Sequence, residues 1–249
     1  MTLIDSNDVT SLKNSVIGKF CNNECQGTGL LLKEGVFYDC RCVEEFKRRL
    51  KFLQANIPKK YWEFDLRNLT KEFCDENKLA LNILKKYASK IKEMTLEGVG
   101  LYIQGSHGLA KTALGYYLLK EGLKKDLTCY SISMSHLTKI LFDISIDENK
   151  EKINFLKNKV DLLLIDEIEK DYNVDKPTSY LGSLVNDFFR SIYDNKKSLI
   201  ITSNLPKKDL ESKKIHASNV VDRFEELVDV ILVGKSFRKQ NTNLKYIIG

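Results

Sequence analysis

Proline and tryptophan are scarce in this sequence, at three and one in 249 residues. Glycine numbers only 13, so a collagen-like chain is excluded. Also missing is any run of the roughly 18 consecutive apolar residues that a membrane-spanning helix needs, and no membrane association is expected. The opening Met1-Thr-Leu-Ile-Asp-Ser-Asn-Asp places acids where a secretory leader places bases. A cytoplasmic location is the corresponding expectation. Nor is one sign of charge in large excess: 40 Lys and Arg face 34 Asp and Glu, a net of +6. With 43% hydrophobic residues the chain has the means to build a core and is not of the disordered class. Its length accommodates an ordinary domain and a small accessory one.

What is present is clustered. Lys47, Arg48, Arg49, Lys51, Lys59 and Lys60 stand close together against Glu44 and Glu45. Lys196, Lys197, Lys207, Lys208, Lys213 and Lys214 form a second, looser group. Basic clusters bind nucleic-acid phosphates, and a solvated lysine-rich surface explains either group equally well. Cysteine is grouped more tightly. Of six, Cys21, Cys25, Cys40 and Cys42 fall in one short segment, while Cys74 and Cys129 sit in apolar-periodic stretches as expected buried thiols. Without an export signal, four neighbouring cysteines favour a metal over disulfides. Four thiolates around a tetrahedral Zn2+ would give a core to a segment too small to bury its own. Reduced free cysteines are the alternative.

The periodicity predicts a helix over 6–19, a turn-rich segment over 20–42, and a basic amphipathic helix over 42–55 that turns Val43, Phe46, Leu50 and Leu53 to one side. That helix should stop near Ile57-Pro58, because the residue before proline avoids helical angles. A long helix is expected from Asp75 to about 94, with Leu79, Ile83, Tyr87 and Ile91 inward. After Gly98 short apolar runs at 99–104, 127–133, 160–165, 198–203 and 227–233 alternate with helical segments at 111–122, 135–143, 149–158, 179–194 and 217–225. Such alternation means a parallel sheet covered on both faces. The boundary falls between about 60 and 72, giving an N-terminal module over 1–65 and an α/β domain over 66–249.

The most informative stretch is Gly105-Ser106-His107-Gly108-Leu109-Ala110-Lys111-Thr112. It follows a predicted strand and opens a predicted helix, as a phosphate-binding loop requires. Loop N–H groups and the helix N-terminus would surround the phosphates of ATP, with Lys111 reaching the β- and γ-phosphates and Thr112 holding Mg2+. Ala110 stands where the motif has glycine; if φ is positive there, alanine costs roughly 1–2 kcal/mol. A hydrophobic strand ends in Asp166-Glu167, 55 positions after Lys111. Asp166 would sit beside the magnesium and Glu167 would polarise the attacking water. Another strand ends in Thr202-Ser203-Asn204, where Asn204 would hold the water or the γ-phosphate; alone, Ser-Asn-Leu-Pro is simply a good turn. Arg223, near Asp222 and Glu226, reads equally as a surface ion pair.

In this order and spacing, the phosphate loop, the LLLIDE strand, the IITSN strand end, the DRFEEL helix and the cysteines resemble AAA+ ATPases. They look most like replicative-helicase loaders of the DnaC/DnaI type and their IstB transposition relatives, over roughly residues 20–240. The resemblance implies a P-loop NTPase with a five-stranded parallel sheet of order 5-1-4-3-2 and no extensive C-terminal lid. It makes Asn204 the sensor of the γ-phosphate and Arg223 the arginine finger that completes a neighbouring subunit's site. Arg238 falls near a basic position common in the family. A cysteine module in such loaders touches a hexameric replicative helicase, single-stranded DNA follows the ring or spiral, and the chain self-associates through the ATP site. Two other readings stay open. One is a transposition ATPase of the IstB type, against which the cysteine module argues. The other is a non-hydrolysing helicase adaptor or inhibitor, motivated by Ala110.

Overall fold

The structure, a computed structural model, describes residues 6–21, 24–170, 180–212 and 217–236. The chain divides into two compact units, Met1–Trp62 and Glu63–Gly249.

In the first unit, helix α1 (Ser6–Phe20) is followed by strands β1 (Leu30–Lys33) and β2 (Val36–Asp39) and by helix α2 (Arg41–Gln54). The antiparallel hairpin falls inside the segment expected to be turn-rich, where no strand was expected. Glu34 and Gly35 link its strands with φ of +50° and +78°, the left-handed pair whose twist matches a tight hairpin. Helix α2 packs on α1, but its inward face differs from expectation. Cys42, Arg49 and Phe52 are buried, while Val43, Phe46, Leu50 and Leu53 are only half-buried. The cause is Arg49. Its guanidinium lies 4.9 Å from the Phe20 ring centroid and 5.4 Å from that of Trp62, and it donates to Glu45. An arginine can occupy a core only when paired and stacked in this way. Trp62 in turn donates from Nε1 to the Ile57 carbonyl at 2.8 Å.

The second unit begins with α3 (Lys71–Glu76), α4 (Lys78–Ser89) and α5 (Ile91–Leu96), where one long helix was expected. The breaks come at Asn77 and Lys90, both near φ −113°. Asn77 spends its side chain on another element: Nδ2 donates to the Val233 carbonyl at 3.0 Å and Oδ1 accepts from the Val233 N–H at 2.8 Å. Tyr87 and Ile91 are buried as expected, but Ala80, Leu81 and Leu84 join them in place of Leu79, which is 77% exposed, and Ile83, which is half-buried.

Then follow β3 (Leu101–Gly105), α6 (Lys111–Lys124), β4 (Cys129–Ser133), α7 (Met134–Phe142), α8 (Asp147–Asn158), β5 (Leu162–Asp166), α9 (Tyr180–Asp194), β6 (Ser198–Ser203), α10 (Lys207–Ser212), α11 (Ser218–Phe224) and β7 (Val228–Leu232). Five strands form one sheet in the order β4-β5-β6-β3-β7, every pair parallel. Numbered within this sheet alone and read from β7, the order is 5-1-4-3-2. Helices α4, α5 and α6 lie on one face, and α7, α8, α9 and α11 enclose the main apolar core on the other. Close approach of α6 depends on two glycines. A Cβ at Gly115 would stand 2.8 Å from Leu164 Cδ1, and one at Gly122 would stand 2.8 Å from Cys129 Sγ. Leu162, Leu163, Leu164 and Ile165 are essentially sealed from water, each stabilising the strand by roughly 1.5–3 kcal/mol. That run holds Asp166 rigidly at its end. Cys129 is buried as expected; Cys74 is only half-buried. Among the described residues, no helix is long and apolar enough to cross a membrane.

Candidate nucleotide site and four-cysteine centre

At the C-terminal ends of β3, β5 and β6 the backbone stops pairing and turns, so side chains from distant parts of the sequence meet. Gly105 ends β3 so close to β7 that a Cβ would lie 2.5 Å from the Leu232 carbonyl oxygen. Leu109 is buried and anchors the loop from below, leaving Ser106 and His107 exposed. Gly108, at φ +82°, passes against Ser236. Ala110 has φ +56° and ψ +14°, the left-handed conformation that the motif normally gives to glycine. Helix α6 starts immediately after it with no side-chain cap, and a helix N-terminus opening from such a loop is a place where an anion binds.

Lys111 is buried, and its Nζ donates to the Gly105 carbonyl at 2.7 Å, the Ser106 carbonyl at 2.8 Å and Asn204 Oδ1 at 2.8 Å. The loop's own carbonyls thus hold the ammonium where phosphate oxygens would compete for it. Thr112 Oγ1 donates to Asp166 Oδ1 at 2.9 Å, and the Thr202 hydroxyl donates to the same oxygen. Burial pushes the Asp166 carboxyl above its usual range; the two hydroxyls oppose this, and the charges of Glu167 and Glu169 add to it. A divalent cation would relieve that accumulation of negative charge, and the hydroxyl–carboxylate pair is the donor set that Mg2+ prefers. Glu167 has φ +55°, donates its N–H to Thr202 Oγ1 at 3.0 Å and pairs with Lys170 at 2.9 Å.

One residue in this constellation has no counterpart in the sequence reading. Glu169 accepts from Ser203 Oγ at 3.0 Å and the Asn204 N–H at 3.1 Å, and also from Asn204 Nδ2. Ile168, fully buried and donating to the Thr202 carbonyl at 3.1 Å, bends the chain back so that Glu169 returns to the end of β6. A third acid beyond Asp166-Glu167 was the only available signal.

Arg223 is not brought to this cluster. It donates to Asn186 Oδ1 at 3.2 Å and to the Asn219 carbonyl, beside a cavity lined by Gly98, Val99, Lys197 and Leu199. Those residues precede or begin β3 and β6, so Arg223 lies at the end of the sheet opposite the phosphate loop. Arg238, Lys213 and Lys214 lie outside the described residues. The basic clusters are reduced by internal partners. Arg48 and Arg49 both engage Glu45, and Lys207 is buried, donating to the Leu227 carbonyl at 2.7 Å with Asp229 at 3.2 Å.

In the first unit the Sγ atoms of Cys21, Cys25, Cys40 and Cys42 all lie within 4.8 Å of one another, and all four residues are buried. Cys25 Sγ is 3.6 Å from Cys21 Sγ and 3.5 Å from Cys42 Sγ. These separations are far beyond a disulfide and close to the edge, about 3.8 Å, of a tetrahedron with ~2.3 Å Zn–S bonds. Burial raises the Cys25 thiol, but the Gly29 N–H, the Cys42 thiol and the Gly27 N–H outweigh it and hold the group at about 7. Burial and the neighbouring thiols push Cys42 up. Sulfurs packed this tightly cannot all be anionic without a cation between them.

No family model matches the sequence. Solved structures do match. The DnaC helicase loader aligns with a TM-score of 0.58 at 24% identity, over 71% of this chain and 100% of that one. DnaI aligns at 0.57 and 18% identity, over 71% and 94%. The replication initiator DnaA bound to AMPPCP and single-stranded DNA aligns at 0.57 and 20% identity, over 77% of this chain and 56% of that one. The chain therefore spans about half the length of that DnaA. These likenesses establish the fold: an α/β domain with a five-stranded parallel sheet, like those of DnaC, DnaI and DnaA.

Proposed function

We propose that this chain is an ATP-dependent loader of a hexameric replicative helicase onto single-stranded DNA. The observation that carries the reading is the meeting of Lys111, Thr112, Asp166 and Asn204 at the ends of adjacent strands, inside a fold shared with DnaC and DnaI. ATP entering the loop takes Lys111 from the Gly105 and Ser106 carbonyls. Thr112 and Asp166 hold Mg2+, which neutralises phosphate charge when bound. Glu167 orients the attacking water once the phosphate draws Lys170 away, and Asn204 reads the γ-phosphate. Arg223, remote from its own chain's site, serves the site of a neighbour. The first 65 residues, stabilised by Zn2+ on the four cysteines, form the helicase-binding module, and residues 66–249 the ATPase. DNA contact finds support in the DnaA structure that contains single-stranded DNA.

A non-hydrolysing adaptor is the second reading, and two observations favour it: the strained Ala110 and the Glu167–Lys170 ion pair. Turnover separates the two. Lys111→Ala should weaken ATP binding roughly 10- to 150-fold, the scale of losing a charged hydrogen-bonded contact to phosphate, while Glu167→Gln should bind ATP and not hydrolyse it. Binding is read by titration calorimetry, turnover by phosphate release. Equal affinity in wild type and Lys111→Ala removes the nucleotide site. Full-length protein that captures no hexameric helicase with ATP present removes the loader.

A further inference from the structure

Asn204 has a single amide, and both of its ends are already occupied. Its Oδ1 accepts from Lys111 Nζ at 2.8 Å, and its Nδ2 donates to Glu169. The orientation is unambiguous, because an ammonium can bond only to the oxygen and a carboxylate only to the nitrogen. Consequently the amide presents an acceptor toward the phosphate loop. A phosphate group also offers only acceptors. Once phosphate oxygens take Lys111, Asn204 Oδ1 would face an anion with no proton between them. To contact a γ-phosphate, the amide has to turn over and bring Nδ2 round, which means leaving Glu169.

We infer that Glu169 is a positioning residue that latches Asn204 in its phosphate-blind orientation and yields it only to a γ-phosphate. The inference rests on the nucleotide-site reading above and deepens it. Three donors converge on the Glu169 carboxylate: Asn204 Nδ2, the Asn204 N–H at 3.1 Å and Ser203 Oγ at 3.0 Å. Only the first has to break. The other two belong to groups that keep their places when the amide turns, so the latch opens without displacing the end of β6. Ser203 is completely buried, which fixes that anchor. ADP, lacking the third phosphate, supplies nothing to compete with Glu169 for Nδ2 and leaves the latch closed. Discrimination between the two nucleotides is therefore set by a contest between one carboxylate and one phosphate for the same amide.

The test is titration calorimetry of the full chain with ATPγS and with ADP, both in excess Mg2+. Glu169→Gln should raise the ratio of ATPγS to ADP affinity roughly three- to tenfold, the worth of about one net hydrogen bond, with ADP affinity unchanged. Glu169→Asp, which keeps the charge but falls short of Nδ2, should move the ratio the same way and serves if the glutamine variant does not fold. In an Asn204→Ala background neither substitution should alter the ratio. Equal shifts for both nucleotides, a lowered ratio, or the same shift without Asn204 would overturn the latch. Wild-type protein that binds ATPγS while Glu169→Gln leaves the ratio unchanged overturns the latch alone. Wild-type protein that binds neither nucleotide overturns the site as well.

Discussion

Ala110 shows how a single residue sets a cost at the start of a helix. Its φ of +56° places Cβ against its own backbone, which costs roughly 1–2 kcal/mol relative to a permitted conformation. Glycine removes that cost and loses about 0.5–1 kcal/mol of chain entropy. Ala110→Gly should therefore stabilise the protein by about 0.5–1 kcal/mol, seen as a higher urea midpoint with an unchanged slope, and should keep or raise phosphate release. A lower midpoint, or a large loss of turnover, would mean that the methyl group is required. The positive φ was foreseeable because a phosphate loop has fixed geometry, and the same is true of the Lys111–Asn204 and Thr112–Asp166 contacts. Glu169 was not foreseeable. Its position depends on a bend after β5 that no local pattern encodes. Arg49 was hidden for a different reason: hydropathy counts an arginine as surface, while here its planar cation lies over two aromatic rings.

At the scale of elements, strand and helix periods were legible wherever packing against the sheet decided them. All five sheet strands lie where alternation put them, to within a few residues. The pattern misled where a side chain was recruited by a distant backbone, as Asn77 is by Val233. It was also silent for the β1–β2 hairpin, whose Leu32 and Phe37 are exposed and give no inward face to recognise. Among the described residues of the first unit, Leu12, Val16, Phe52, Ala55, Ile57 and Trp62 are the buried apolar side chains besides the four cysteines, whose sulfurs lie in its interior. Purified protein should contain about one zinc per chain by metal analysis, and Cys40→Ser should lose the metal. The same substitution should remove helical signal from α1 and α2 in circular dichroism while leaving ATP affinity intact. Zinc-free protein prepared without chelator, with full helical signal, would overturn this.

For the whole molecule, the separation of Arg223 from the phosphate loop has a direct consequence for activity. No chain can supply this arginine to its own site, and arginine fingers contribute roughly 10³–10⁵-fold in rate where they act. Lys111→Ala and Arg223→Ala should each be inactive alone, and an equimolar mixture should regain part of the wild-type phosphate release. Under the proposed function, only in the mixture would an intact pocket meet an intact finger. A mixture as inactive as its components, under conditions where wild type assembles and hydrolyses, would remove the finger from Arg223. The strand order carries a further consequence, for the ribosome rather than the finished protein. Strand β3, which leads into the phosphate loop, pairs only with β6 and β7. The β4–β5 pair can close as soon as residue 166 emerges, but β3 waits for residues 198–203 before its first edge is covered and for residues 228–232 before its second. Long-range pairing of this kind is slow, and an open apolar strand edge invites association with other chains. During synthesis the apolar Leu-Tyr-Ile run of β3 is therefore open to misassembly, and a nascent chain paused before residue 198 leaves both of its edges uncovered.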